Sequence, residues 1–362
     1  MKYWRGYLVA GIVALCTWAL TQFAAAHSEL IDMVYPYVTR IVMDYLADWS
    51  TGISACLWQV LLVFFLVLLV ASAVLMIVFR WNPIQWLGWV LTAVSVISLL
   101  NTGLYGLNQY AGTLAEDIRL ELRDYSVGSL ERAAHYYLEN ANAYSTQVSR
   151  DADNKVSYSD FTQLSQQAAE GFSYLSYTRT FPTFTGSAVP VKQLGFTGFY
   201  NGVTGKTVAL TGEAAVNPNV PDVGMPFAIC HEMTHRMCVY HCTDAEFGAF
   251  LACTANSSAE YRYSGYLMAF RECYNALSSI HTDLGREALN RVLAEASDTV
   301  LADMQQYNKF LKDSDDVNDD LCKLLVSWHI QEVDQYNEVE EDENKFDPMD
   351  ETDERFQDIL IH

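Results

Sequence analysis

The stretch Cys230–Phe250, CHEMTHRMCVYHCTDAEFGAF, gathers three histidines, three acidic residues and three cysteines. Its first half holds His231, Glu232 and His235 in the order H-E-x-x-H. Residues four apart share one face of a helix, so both imidazoles can turn a nitrogen toward a single zinc ion. Glu232 lies beside that face and can reach a metal-bound water without binding the metal. Zinc acidifies such a water, and the carboxylate takes its proton as the oxygen attacks a peptide carbonyl. The same carboxylate can then deliver the proton to the leaving nitrogen. The pattern implies Zn2+ as cofactor, a peptide or protein as substrate, and hydrolysis of peptide bonds with Glu232 as general base.

A third metal ligand is needed. His241 stands ten residues after His231, the spacing of the metzincin motif H-E-x-x-H-x-x-G-x-x-H. That motif has glycine at its eighth place, where the chain turns left-handed toward the metal. Here the place holds Cys238, whose β-carbon disfavours the turn. The gluzincin solution takes an acidic ligand from a following helix. Cys242–Cys253, CTDAEFGAFLAC, can be that helix, with Cys242, Glu246, Ala249 and Cys253 on one face and Asp244, Phe247, Gly248 and Leu251 on a neighbouring one. Glu246 has the longer reach and is the expected third ligand, with Asp244, Cys242 and His241 as competitors. In YRYSGY, Tyr263 or Arg262 is a possible donor to a developing oxyanion, against the alternative of aromatic helix packing.

The elements that must position these residues follow from periodicity. The motif is entered through the apolar run PFAIC, which would bury its helix. Before it, Lys206–Asn217 is β-prone and predicts a short strand or hairpin. In zinc peptidases such an edge strand holds the substrate backbone by β-addition. Ser129–Tyr144 and Ser157–Leu175 have helical apolar spacing, and helices resume at about Met225. The longest is expected over LGREALNRVLAEASDTVLADMQQYNKFL.

The front of the chain differs in kind. Three uncharged apolar runs, at about 6–26, 58–79 and 86–107, are each long enough to cross a bilayer as a helix. The first also fits a signal peptide, with Lys2 and Arg5 ahead of it and Ala24–Ala26 at its end. Lys2, Arg5 and Arg80 flank one side of the spans, whereas the intervening loop His27–Leu57 has only Arg40 against four acidic residues. The basic residues mark the inside, so the chain beyond about residue 108 is expected outside the cytoplasm. This gives residues 1–108 as a membrane region, 109–331 as the metal-binding domain and 332–362 as an acidic, disordered tail. From Gln331 onward the chain has thirteen acidic and two basic residues.

The 362 residues have a formal net charge of −22, which argues against nucleic acid as a partner. The partners implied are the membrane bilayer and a polypeptide substrate. The eight cysteines show no small-domain disulfide spacing, and buried free thiols are the favoured reading.

HEMTHRM followed by DAEFGAFLAC and YRYSGYLMAF resembles the bacterial membrane proteins of the domain-of-unknown-function family DUF3810. YGLNQYAGTLAED (Tyr105–Asp117) is similar to that family's stretch after the last span, and GFYNGVTGKTVALTGEAAVN to its segment before the metal helix. The resemblance implies a multi-pass protein of the bacterial cell membrane with a gluzincin-like H-E-x-x-H domain. The expected fold is therefore mainly α: N-terminal transmembrane helices, then a helical zincin-like (gluzincin-type) domain with a small β element. Matched on Ala245 and Phe247, this chain has Cys242 and Asp244 where the family's E-x-E-A-N-F element has its glutamates, and Glu246 at its asparagine. A non-catalytic sensor or scaffold with the zincin fold is the alternative function.

Overall fold

The computed structural model of the chain describes residues 4–158, 160–178, 181–186, 188–312 and 317–334. Most of the expected acidic tail, residues 335–362, lies outside the described residues.

Four helices open the chain: α1 (Arg5–Ala26), α2 (Ser28–Ser50), α3 (Leu57–Val78) and α4 (Pro83–Leu104). Helices α1, α3 and α4 are long and apolar enough to cross a membrane. Helices α1 and α4 cross where Gly6 meets Gly88: a β-carbon on Gly6 would stand 2.5 Å from the Gly88 carbonyl carbon. Small residues permit such an approach between apolar helices, where close packing replaces the hydrophobic drive. Thr92 Oγ1 donates to Gly6 O at 2.8 Å across the same contact.

The segment between the first two spans, expected as a loop, is the helix α2. It continues through Pro36 and buries Ile31, Met43 and Ala47 on one side. Thr39 and Arg40 are buried too, because they reach the end of the motif helix described below.

The remainder is mainly helical: α5 (Leu114–Asp117), α6 (Val127–Ser145) and α7 (Phe161–Thr178), then β1 (Lys192–Gln193), β2 (Gly205–Val208) and β3 (Glu213–Val216). Next come α8 (Met225–Arg236), α9 (Cys242–Ala255), α10 (Ala259–Ser279), α11 (Asp283–Glu295), α12 (Asp298–Phe310) and α13 (Asp319–His329). The long helix expected over Leu284–Leu311 is broken into α11 and α12. Ser297 causes the break: its Oγ accepts from Val300 N at 3.3 Å, starting a new helix as an N-cap.

The β-prone stretch, expected as a short strand or hairpin, is a hairpin. Strands β2 and β3 pair antiparallel with Gly205 opposite Val216 and Val208 opposite Glu213, and β1 adds to β3 in parallel. The order β1-β3-β2 leaves β2 at an edge. The core forms where α8, α9 and α10 pack on α6 and α7, with Ile229, Met233, Phe247, Tyr261, Phe270, Leu130 and Tyr137 fully enclosed. All eight cysteines are free thiols, and all but Cys16 and Cys242 are buried.

Candidate metal centre

Helix α8 positions the motif. Pro226 pre-sets its first turn, and Ile229, Cys230 and Met233 bury one face in the core. The opposite face turns His231 and His235 into a cavity of ≈ 630 Å3. Their rings are 4.7 Å apart, centre to centre, and nearly perpendicular. Burial holds both imidazoles neutral: that of His231 is pushed down to about 3, and that of His235 is lowered as well. His235 Nδ1 lies 2.8 Å from Val239 O. A carbonyl only accepts, so Nδ1 carries the proton and Nε2 keeps its lone pair for a metal. Tyr105, just past the end of α4, donates its hydroxyl to the same Val239 oxygen at 3.2 Å.

Glu232 is buried and lines the same cavity. Thr207 of β2 donates to its Oε2 at 2.7 Å and to its backbone oxygen at 3.0 Å. Burial pushes the carboxyl up to about 7; the Thr207 hydrogen bond and the Lys206 charge oppose that rise. Gly205 makes this contact possible. A β-carbon there would stand 2.5 Å from Glu232 Cγ and 2.8 Å from Ala215 O.

The end of α8 differs from the reading based on residue type. Cys238 has φ +70°, in the left-handed region, although it is not glycine. Cys238 N donates to His235 O and Val239 N to Thr234 O, the paired hydrogen bonds of a Schellman turn. Helix α2 holds the turn in place: Thr39 Oγ1 donates to Cys238 Sγ at 3.3 Å, and Arg40 Nε to Met237 O at 3.1 Å. A left-handed non-glycine residue costs about 1–2 kcal/mol, which these contacts offset. The turn nevertheless does not bring His241 to the other histidines. His241 is the N-cap of α9 and lines a separate cavity of ≈ 190 Å3 together with Asp244, Asp117 and Arg40.

The two faces of α9 thus go to different places. Asp244 faces the second cavity, while Cys242 and Glu246 line the first with His231 and His235. Glu246 Oε2 accepts from Asn318 Nδ2 at 2.9 Å. Burial, aided by the neighbouring Glu272 charge, pushes its carboxyl up to about 7. Among the described residues, no three His, Cys, Asp or Glu side chains converge on one metal position. Two imidazoles, a carboxylate and a thiol around one cavity are nonetheless residue types that zinc takes as donors.

Tyr263 and Arg262 are elsewhere. Tyr263 donates to Asp303 Oδ2 at 2.6 Å, and Arg262 bonds Asn256 O and the Tyr144 hydroxyl. Packing accounts for both. The phenols that do line the first cavity are Tyr105, Tyr240 and Tyr307, and Arg271 joins them. Residue types gave no sign of Thr207 or Tyr105, because both meet the motif only through the tertiary fold.

Compared with known families, the chain matches the one described as "Protein of unknown function (DUF3810)" over residues 31–328. The chain belongs to the DUF3810 family. No curated protein and no solved structure matches it. The DUF3810 match opens within α2 and closes within α13, so it takes in the turn at Cys238, the helix that clamps it and every residue of the candidate site.

Proposed function

We propose that this protein is a membrane-anchored zinc metallopeptidase of gluzincin type, with a zincin-like domain outside the cytoplasm. His231, His235 and Glu246 hold the metal, and Glu232 is the general base. One observation carries the reading. His231, Glu232 and His235 occupy a single turn of α8 that faces a cavity roofed by an edge strand.

Zinc bound there would acidify a water and polarise a peptide carbonyl. The chain's own residues supply the rest. Thr207 holds one oxygen of Glu232 and fixes its rotamer. A carboxyl near 7 gives and takes a proton readily at neutral pH, as a group acting first as base and then as acid must. The edge strand β2 offers backbone groups with which an extended peptide can pair. To serve as a ligand, Glu246 would have to leave Asn318.

That bond to Asn318 favours a second reading: a zincin-fold sensor or scaffold that does not turn over. One experiment tests both. The full chain is purified in detergent, its zinc content measured, and cleavage of a peptide library compared between wild type and Glu232→Gln. The expected result is about one zinc per chain in both proteins, with cleavage at least a hundredfold slower in the variant. Absence of zinc, or equal cleavage by both, overturns the peptidase. Zinc without Glu232-dependent cleavage establishes the second reading.

A further inference from the structure

The sheet that roofs the cavity is tied to a membrane span. Glu213 of β3 accepts from the first backbone amides of α3, Leu57 N at 2.8 Å and Trp58 N at 2.9 Å, and pairs with Lys192 at 2.6 Å. Cys56 Sγ donates to Gln193 O at 3.1 Å. Gln59, in the first turn of α3, donates to Gly195 O at 3.0 Å and accepts from Gly195 N at 2.8 Å. The segment after β1 is therefore fixed to the start of the span.

Beside this junction the protein exposes aromatic surface. Phe196 is 62% exposed and Phe199 86%. Phe196 shares an apolar groove of ≈ 420 Å3 with Val60 and Val63 of α3. Burying a phenylalanine stabilises a protein by about 1.5–3 kcal/mol, yet these two point outward. Val63 lies about 6 Å further along α3 than Gln59. Phe196 thus occupies the level of the first turns of a helix that is uncharged along its whole length. Any lipid around those turns would also meet Phe196.

The same segment leads into the cavity. Asn217 Nδ2 donates to Tyr200 O at 2.7 Å and to Val203 O at 2.9 Å, bracing the loop on the sheet. Val203 and Thr204 then line the cavity before β2 begins.

We propose that Phe196 and Phe199 are immersed in the bilayer around α3, at the boundary between headgroups and acyl chains. The loop Phe196–Val203 is then the membrane-facing lip of the cavity. Aromatic rings are favoured at that depth, and an exposed apolar patch continuous with a span finds its partner there. The cavity consequently takes polypeptide that lies along the membrane surface, such as the segment flanking a span of another protein. This substrate class rests on the peptidase reading; the lipid contact does not.

Photocrosslinking tests the contact without any need for turnover. Benzoylphenylalanine replaces Phe196, Phe199 or, as a control, Leu284, which is 58% exposed on α11. The full chain is placed in nanodiscs of phosphatidylethanolamine and phosphatidylglycerol, irradiated, and its adducts identified by mass spectrometry. The expected result is phospholipid adducts at positions 196 and 199 in at least fivefold higher yield than at 284. Yields no higher than at 284, or adducts only to a second protein chain, overturn the proposal. Either outcome stands apart from the zinc and Glu232→Gln results, so failure of one reading is not mistaken for failure of the other.

Discussion

Glu246 must change its protonation state to serve as a ligand. Burial and Glu272 push its carboxyl up to about 7, so near pH 6 in the metal-free protein it is mostly protonated. Zinc held by Glu246 would have to expel that proton, so each pH unit below 7 would weaken apparent affinity about tenfold. His231 adds no such dependence, because its imidazole is already neutral down to about 3. Zinc affinity should therefore rise about tenfold per unit more steeply in wild type than in Glu246→Gln between about pH 5.5 and 6.5. At pH 7 Glu246→Gln should bind at least tenfold more weakly, while Asp244→Asn, facing the other cavity, should bind as wild type does. Competition with a fluorescent chelator measures this; loss of affinity in Asp244→Asn alone would reverse the assignment. At this scale the helix period made much of the site legible, since it alone sets His231 beside His235 and Cys242 beside Glu246. Thr207 and Tyr105 were hidden because they lie 25 and 130 residues from the motif side chains they approach. Cys238 misled for a different reason. Its local preference is real, but contacts from α2 outweigh it.

Strand β2 and helix α8 approach through a position that tolerates no side chain. Gly205→Ala would set a methyl group 2.6 Å from Glu232 Oε1 and 2.8 Å from Ala215 O. The Ala215 oxygen is fixed in the sheet, so the Glu232 side chain must yield. Turnover should fall at least tenfold, about 1.4 kcal/mol in the barrier, while the zinc content stays at the wild-type level. Unchanged kcat/KM in Gly205→Ala would mean that the base does not work from its present position. The hairpin itself was visible in the alternation of Lys206–Asn217, yet the role of Gly205 was not, because composition does not say what a strand leans against. The division between α11 and α12 shows the converse. Apolar spacing runs on through Ala296 and Ser297, and one serine side chain decides that the helix stops.

Across the whole molecule, the sheet beside the cavity and the apolar helix α3 are held in one frame. A peptide carried on a lipid anchor in the same bilayer should be cleaved at least tenfold faster than the same peptide free in solution, through its higher effective concentration. A liposome assay with both forms of one peptide measures the ratio, and equal rates would separate the cavity from the membrane surface. The three candidate spans were plain in the sequence, being uncharged and about twenty residues long. The part played by α2 was not, since its charges read as a loop and its partners lie some 200 residues away. Glu213 also gives the protein an order of assembly. Its carboxylate is buried, and two of its partners are the leading amides of α3, made 156 residues earlier. Helix α3 is therefore synthesised long before the sheet that closes upon it. A chain begun at residue 109 would lack those amides and leave Lys192 as the only one of these partners to a buried charge. Each charge-assisted hydrogen bond lost in that way costs about 1.5–3 kcal/mol. The N-terminal helices would thus serve as a folding template for the sheet.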